Sequence, residues 1–479
     1  MNRSSSRSRR PGSARRATPR ASATPRTTAT KKPATPAPAH AGSGRPLKAR
    51  PTTPARNGAG RYATPTIPRQ PKPKPFANVD RRTLFKGVGA AGAIGVTASA
   101  LSSLQGCSSS EEESDATPTV VDDNQATSVT DSYTYNEQMA GLTEAGTWTL
   151  PLGTVLFPGE GTWIPALAAG ESANPVVTGA AFSVSDGSLA TVVKEPVTTG
   201  TNYVIYQTRC SDSLYAWVEL DTVAGDWALY AAPFSAGALT GGVSTLATGD
   251  AEWDIPQVAV SGDAVVWLGM PTATGSHSAE DSHCYLWRSG QSNATAVVTS
   301  HGRFACEPTI SDGVVTLVPR VRNEEGMYYG ISSYQLSDNL ATRTAQLVLP
   351  QSVKPFSAVS MGGRLVFQIE ANYSSGGLLG QMGTYVQMDD DNFVALSREP
   401  IAAPAGTSDL FLVKTRASYL YFDIPDEEYN TLVAASRAVD YGEYPARVGT
   451  CSTFVTFATV KDPATTYPAS VQVRAYKLG

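Results

Sequence analysis

The sequence predicts an all-β body of four-stranded antiparallel sheets, six to eight in number and most simply seven, carried behind a long non-globular leader. Three observations predict it. A hairpin-like unit recurs about every fifty residues after residue 140, prolines punctuate the starts of several units, and charge divides sharply along the chain. Residues 1–106 hold 21 Lys+Arg against one acid, Asp80, a balance of +20; the remainder holds 38−21 = 17 bases and 42−1 = 41 acids, or −24. Such a split reads as a basic arm joined to an acidic body.

The arm, residues 1–79, contains 14 of the 33 prolines, and Leu47, Tyr62, Ile67 and Phe76 are nearly its only large apolar side chains. A segment this poor in apolar surface cannot offset the entropy of ordering its backbone, so disorder is expected. Its Lys/Arg content suits anionic surfaces. No aromatic residues interleave the charges as base-stacking platforms, and no nucleic-acid role is expected of the folded body.

Residues 80–106 are the most specific stretch. Arg81-Arg82-Thr83-Leu84-Phe85-Lys86 resembles the twin-arginine (Tat) export motif, with Asp80 in the leading position and Leu and Phe interchanged. In the following Gly87–Leu104, 13 of 18 residues are Gly, Ala, Ser or Thr. A membrane-spanning helix needs about 20 predominantly apolar residues, so this weakly apolar run reads as a signal segment. Gly87-Val88-Gly89-Ala90-Ala91-Gly92 matches the dinucleotide-binding glycine pattern by letters alone. It follows a charged stretch, not a strand, and no βαβ unit continues.

The signal ends in Leu104-Gln105-Gly106-Cys107, which resembles a bacterial lipobox, Gln105 being its one departure. The resemblance implies a diacylglyceryl group on Cys107, membrane attachment outside the cytoplasm, and a flexible acidic tether over 107–139; the alternative is a free Cys107 behind an uncleaved signal anchor. The basic arm then stays inside, as the positive-inside bias requires. Removing Cys107 leaves Cys210, Cys284, Cys306 and Cys451, an even number for an oxidising compartment. Of three connectivities, Cys284–Cys306 closes a short local loop and Cys210–Cys451 joins the beginning and end of the body.

The body, 140–479, repeats "VAVSGDAVVWLG" (258–269), "PTISDGVVTLV" (308–318) and "SAVSMGGRLVFQI" (357–369). Each is a short strand, a tight turn with Gly and Ser or Asp, and a second apolar strand. The turn serines Ser261, Ser311 and Ser360 are spaced 50 and 49 apart. Pro256, Pro308 and Pro355 precede units, where no ladder donor is needed. Looser copies occur near 183–193, 198–208, 413–424 and 450–460. A period near fifty with about four strands per repeat is the signature of a β-propeller. The body resembles WD40-like and TolB-like propellers in architecture, although no Trp-Asp signature recurs. Val266, Val315 and Val366 are expected to pack against neighbouring sheets. The last segment supplies two clear strands, and strands near "GTWTLPLGTVLF" and "AAFSVSDGSLATVV" are expected to complete its sheet and close the ring. The competing architecture, a pair of β-sandwiches, fits regular spacing less well.

The body contains no G-x-S-x-G, H-E-x-x-H or P-loop, so no catalytic residues and no cofactor are assigned. His277, His283 and His301 fall within 25 residues. His283 and Cys284, being adjacent, point to opposite faces of a strand, and the remaining spacing matches no zinc pattern, so no metal site is expected. Asp389–Asn392 and Asp426–Glu428 read as solvated turns before calcium loops. Trp253, Trp267, Trp287, Tyr328 and Tyr329 offer sugar platforms or, more simply, sheet packing. The expectation is a non-catalytic envelope lipoprotein binding a protein partner or a polysaccharide. The alternative is a glycoside hydrolase or lyase with paired carboxylates at the channel.

Overall fold

The computed structural model describes residues 117–170, 178–389, 392–440 and 442–479. The basic arm, the signal residues Arg81, Arg82, Phe85 and Lys86, and Cys107 lie outside the described residues.

Tight turns set the register first. In Gln257–Ser261 and Ala264–Gly269 the strands are joined by Gly262-Asp263, with φ +54° at Gly262 only. Ser357–Met361 and Arg364–Ile369 are joined by Gly362-Gly363, both at positive φ, and Asp312-Gly313 does the same between Thr309–Ser311 and Val314–Leu317. These are the two-residue turns whose twist matches paired strands, and positive φ explains their Gly and Asp. The three hairpins expected from the repeat are all formed.

The strands fall into seven sheets. Sheet 3 shows the pattern: Gln257–Ser261, Ala264–Gly269, Ser282–Arg288 and Thr295–Ser300 pair antiparallel in sequence order. The first strands of the other sheets are Val155–Leu156 (sheet 1), Tyr203–Cys210 (sheet 2), Thr309–Ser311 (sheet 4), Ser357–Met361 (sheet 5), Ala405–Gly406 (sheet 6) and Tyr444–Pro445 (sheet 7).

Alternation along each strand loads both faces. In sheet 3, Val265 and Trp267 face sheet 2, while Val266 and Leu268 join Val315 and Leu317 of sheet 4. Val366 of sheet 5 packs with Phe411 and Val413 of sheet 6. Each fully buried valine contributes about 1.5–3 kcal/mol. Because strands are covered on both faces, they read as nearly unbroken apolar runs such as "AVVWL". Every neighbouring pair of sheets shares such a layer, and the last joins sheet 7 to sheet 1 through Val455, Val473, Ile164 and Phe182. A closed ring of antiparallel sheets is a β-propeller, and it excludes two separate sandwiches.

The ring is fastened by the first and last strands of the body. Leu142–Pro151 pairs antiparallel with Pro468–Leu478 as the outermost strand of sheet 7, as expected. Thr178–Ser183 and Leu189–Val193, also expected there, instead pair with each other in sheet 1, where the short turn between them keeps them together. The segment before it, read from sequence as part of a flexible tether, follows the ring's outer edge over 117–139. The Thr119 N–H donates to Val348 O of sheet 4, Ala126–Ser128 adds in parallel to sheet 5, and Thr134–Tyr135 adds in parallel to sheet 6. Val129, fully buried, and Tyr133 anchor it in the apolar layer between sheets 5 and 6. Strands of two or three residues have no periodicity to detect, so the polar composition hid them.

Neither expected disulfide is formed: Cys210, Cys284, Cys306 and Cys451 are all free thiols. Closure into a ring explains this. Cys210 lies between sheets 1 and 2, Cys284 between sheets 3 and 4, Cys306 against the layer of sheets 4 and 5, and Cys451 against that of sheets 6 and 7. Parity alone carried the pairing, and four different layers separate the partners.

Candidate functional site

The first strands of the sheets and the segments leading into them converge on one cavity of about 1130 Å³. Leu156, Arg209, Gln257, Thr309, Ser357, Thr450 and Pro445 line it, one from each sheet in turn. This is the channel of the ring.

The repeat places polar residues at one level of these strands. Gln207, Gln257, Glu307 and Ser357 are each 50 residues apart. The Gln207 Nε2 donates to Pro256 O at 2.6 Å, and the Ser357 hydroxyl donates to Gln368 Oε1 at 2.8 Å. Glu307 accepts from Arg209 Nη2 at 3.3 Å, with 57% of its own side chain exposed.

Two buried arginines dominate the wall. Arg209 also donates to Thr208 O at 3.0 Å and lies over the Phe157 ring at 5.2 Å. Arg447, 5% exposed, sends its two amino groups to the carbonyls of Gly159 and Gly161, in the turn between the first two strands of sheet 1. Burial lowers both guanidinium pKa values, and both remain cations. Three lining carboxylates accompany them, all solvent-exposed: Glu160, Glu307 and Asp312. Glu160 accepts from the Gly262 N–H at 2.6 Å.

Glycine at 449 is required by a close approach. Its φ is +76°, and a Cβ there would stand 2.6 Å from that of Ser311. The chain thereby reaches sheet 4, where the Thr450 N–H donates to the hydroxyl of the turn residue Ser311 at 2.9 Å. Cys306 and Cys451 line the same cavity, their thiols pushed up to about 12 and about 11 by burial, so both are protonated at neutral pH.

Other sequence candidates fall elsewhere. His277 stacks on Trp253 at 5.7 Å, and its pKa is raised by a 2.5 Å bond with Glu280. His283 meets Thr299, while Cys284 points into the core. Among the described residues no group of three or more His, Cys, Asp or Glu stands together as a metal site. Asp390 and Asp391 lie outside the described residues; the Asp426 backbone N–H donates to Asp423 Oδ1 in a tight turn, and Glu428 accepts from Asn136 Nδ2. Trp267, Trp287, Tyr328 and Tyr329 are buried between strands, and Trp267 stacks on Tyr285 at 5.4 Å. Packing, not a sugar platform, is their role.

Sequence reasoning missed Arg209, Arg447 and Glu307. The signal was present in "QTRC" and "CEPTI": charged residues at strand positions that the repeat otherwise fills with apolar or neutral side chains.

No family model matches the sequence, and no curated protein matches it. Among solved structures it is similar to the β-propeller domain of the Trilobed protease from Pyrococcus furiosus, at 9% identity and TM-score 0.44, covering 69% of this chain and 96% of that one. It is also similar to an acylaminoacyl peptidase from Pyrococcus horikoshii, at 10% identity and TM-score 0.43, covering 66% of this chain and half of that one. The fold assignment rests on the sheet order and ring closure above.

Proposed function

We propose that this chain is an extracytoplasmic, lipid-anchored propeller, each of its seven sheets a blade, that binds a protein partner at its channel without catalysing a reaction. The single observation that carries the binding role is the 1130 Å³ cavity lined from all seven sheets, with two buried guanidiniums fixed in its wall. A rigid concave site with a few fixed polar groups suits recognition. The export motif at Arg81 and Arg82 and the lipobox at Cys107 support the address. The hydrolase alternative draws on Glu160, Glu307 and Asp312, which reach the cavity from sheets 1 and 4 only. Two of them are engaged, with Gly262 and Arg209.

The test is a pull-down from membrane fractions with the wild type and with Ala403→Trp, which sets an indole into the channel and narrows it. A stoichiometric partner recovered with the first and lost with the second is expected. Equal recovery, or no partner with either, overturns the channel as the binding site.

A further inference from the structure

We infer that the channel wall at Arg447 and Thr450 is a subsite for a carboxylate, supplied by an acidic peptide segment. The inference deepens the binding role proposed for the channel and is independent of membrane anchoring.

The first ground is charge. Arg447 is held almost wholly out of water, yet its amino groups meet only neutral backbone carbonyls. Among the described residues no carboxylate comes within ion-pair distance of it. A buried guanidinium is strongly favoured by an anionic partner in a medium of low polarity. The neighbouring Arg209 has only Glu307, whose carboxylate is more than half exposed and therefore weakly neutralising. The lining acids are solvated, whereas the positive groups are set in the wall. That wall is of opposite sign to a body, 140–479, that holds 17 bases and 33 acids, a balance of −16.

The second ground is unmet hydrogen bonding. Six buried side-chain polar atoms among the described residues have no partner, and three of the six belong to cavity-lining residues: Arg447 Nε, Thr450 Oγ1 and Gln257 Oε1. Such orphans are few in folded proteins, and three of the six lining one channel call for a cause. An N–H and an O–H match the two oxygens of a carboxylate. The remaining orphan, an amide oxygen, accepts from an N–H such as a peptide backbone provides. The cavity's own aromatics, Phe356, Tyr444 and Phe457, are half-buried, so a uronate chain is the rival occupant that the test separates from an acidic peptide.

The probe is hexaglutamate titrated calorimetrically into the full chain at low and high salt, with hexaglutamine and oligogalacturonate as controls. Hexaglutamate should bind, weaken with salt, and exceed hexaglutamine by about tenfold or more. Thr450→Val removes a hydroxyl that has no protein partner. It should lower hexaglutamate affinity about fivefold with no loss of melting temperature. Arg447→Lys, which keeps charge but loses the Nε–H, should lower it further. No hexaglutamate binding overturns the inference, as does unchanged affinity in Thr450→Val. Tighter binding of oligogalacturonate than of hexaglutamate overturns the peptide assignment. If Ala403→Trp binds hexaglutamate as well as wild type, the channel itself is not the site. If Ala403→Trp loses the membrane partner while hexaglutamate is silent with wild type, only this subsite fails.

Discussion

Glu443 is fully buried where sheets 6 and 7 meet, and removing its charge tests how the ring is held at that junction. Its Oε1 accepts from Arg474 Nε at 2.5 Å, and its Oε2 accepts from Arg474 Nη2. Arg474 is 15% exposed and donates once more, to Val433 O at 2.7 Å. In Glu443→Gln the amide nitrogen would confront the guanidinium donors, leaving Arg474 with one side-chain acceptor besides Val433 O and no carboxylate in contact. Removing one partner of a buried pair costs about 3–5 kcal/mol, and the partial exposure of Arg474 favours about 3. For a body of about 340 residues, an unfolding entropy near 2.1 cal/mol/K per residue makes that a fall of about 4 °C in melting temperature. Calorimetric melts provide the assay. Glu443→Met combined with Arg474→Met should recover most of the loss, because an apolar pair of similar volume needs no desolvated charge. A shift under about 1 °C in Glu443→Gln, or a double variant that loses the sum of both singles, would refute the reasoning.

Four further outcomes are expected, three from the structure and the last from the export and lipobox motifs. Burial lowers the Lys414 pKa to about 8, against the opposing pull of Glu443. The unfolded chain therefore binds more protons between about 8 and the ordinary lysine value, and stability should rise with pH through that window. Lys414→Met should be the more stable at pH 7, with its advantage shrinking by pH 9.5 in paired melts; a constant difference contradicts the shift. Val129→Ser, in the segment along the ring's edge, should cost about 1.5–3 kcal/mol in urea unfolding, and no change would mean that this segment does not hold the ring. Thiol titration after denaturation without reductant should count Cys210, Cys284, Cys306 and Cys451, and a lower count restores a disulfide. Cys107→Ser should release the body from the membrane fraction, and Arg81→Lys with Arg82→Lys should hold it in the cytoplasm; retention of the first or export of the second contradicts the proposed address.

Sheet structure was legible wherever local chemistry and global fold agree. Gly262, Asp312-Gly313 and Gly362-Gly363 announce their turns because only certain residues take positive φ there. The runs through Val266, Val315 and Val366 announce double-sided burial. Parallel edge pairing at Ala126–Ser128 and Thr134–Tyr135 was illegible, because so few residues carry no period. The extra strand Arg320–Asn323 beside Gly326–Gln335 was hidden for the same reason.

The channel was harder to read than the sheets for a geometric cause. Sheets arranged radially pack most fully away from the axis, and their first strands meet the central cavity. Polar side chains are therefore compatible with a first strand where a later one would bury them. The series Gln207, Gln257, Glu307 and Ser357 records this at the period of the repeat itself. Within one unit, "CEPTI" looks like a defect in an apolar strand. Aligned on its neighbours, it identifies the strand that faces the axis. Arg447 escapes even that test, since it lies in the irregular crossing between Tyr444–Pro445 and Gly449–Thr450, where the chain passes from sheet 7 to sheet 6. Its position follows from closing the ring: the crossing must run beside the Gly159–Gly161 turn of sheet 1, and the guanidinium satisfies carbonyls there that no strand can reach. One side chain thus joins the closure of the ring to the charge of its channel.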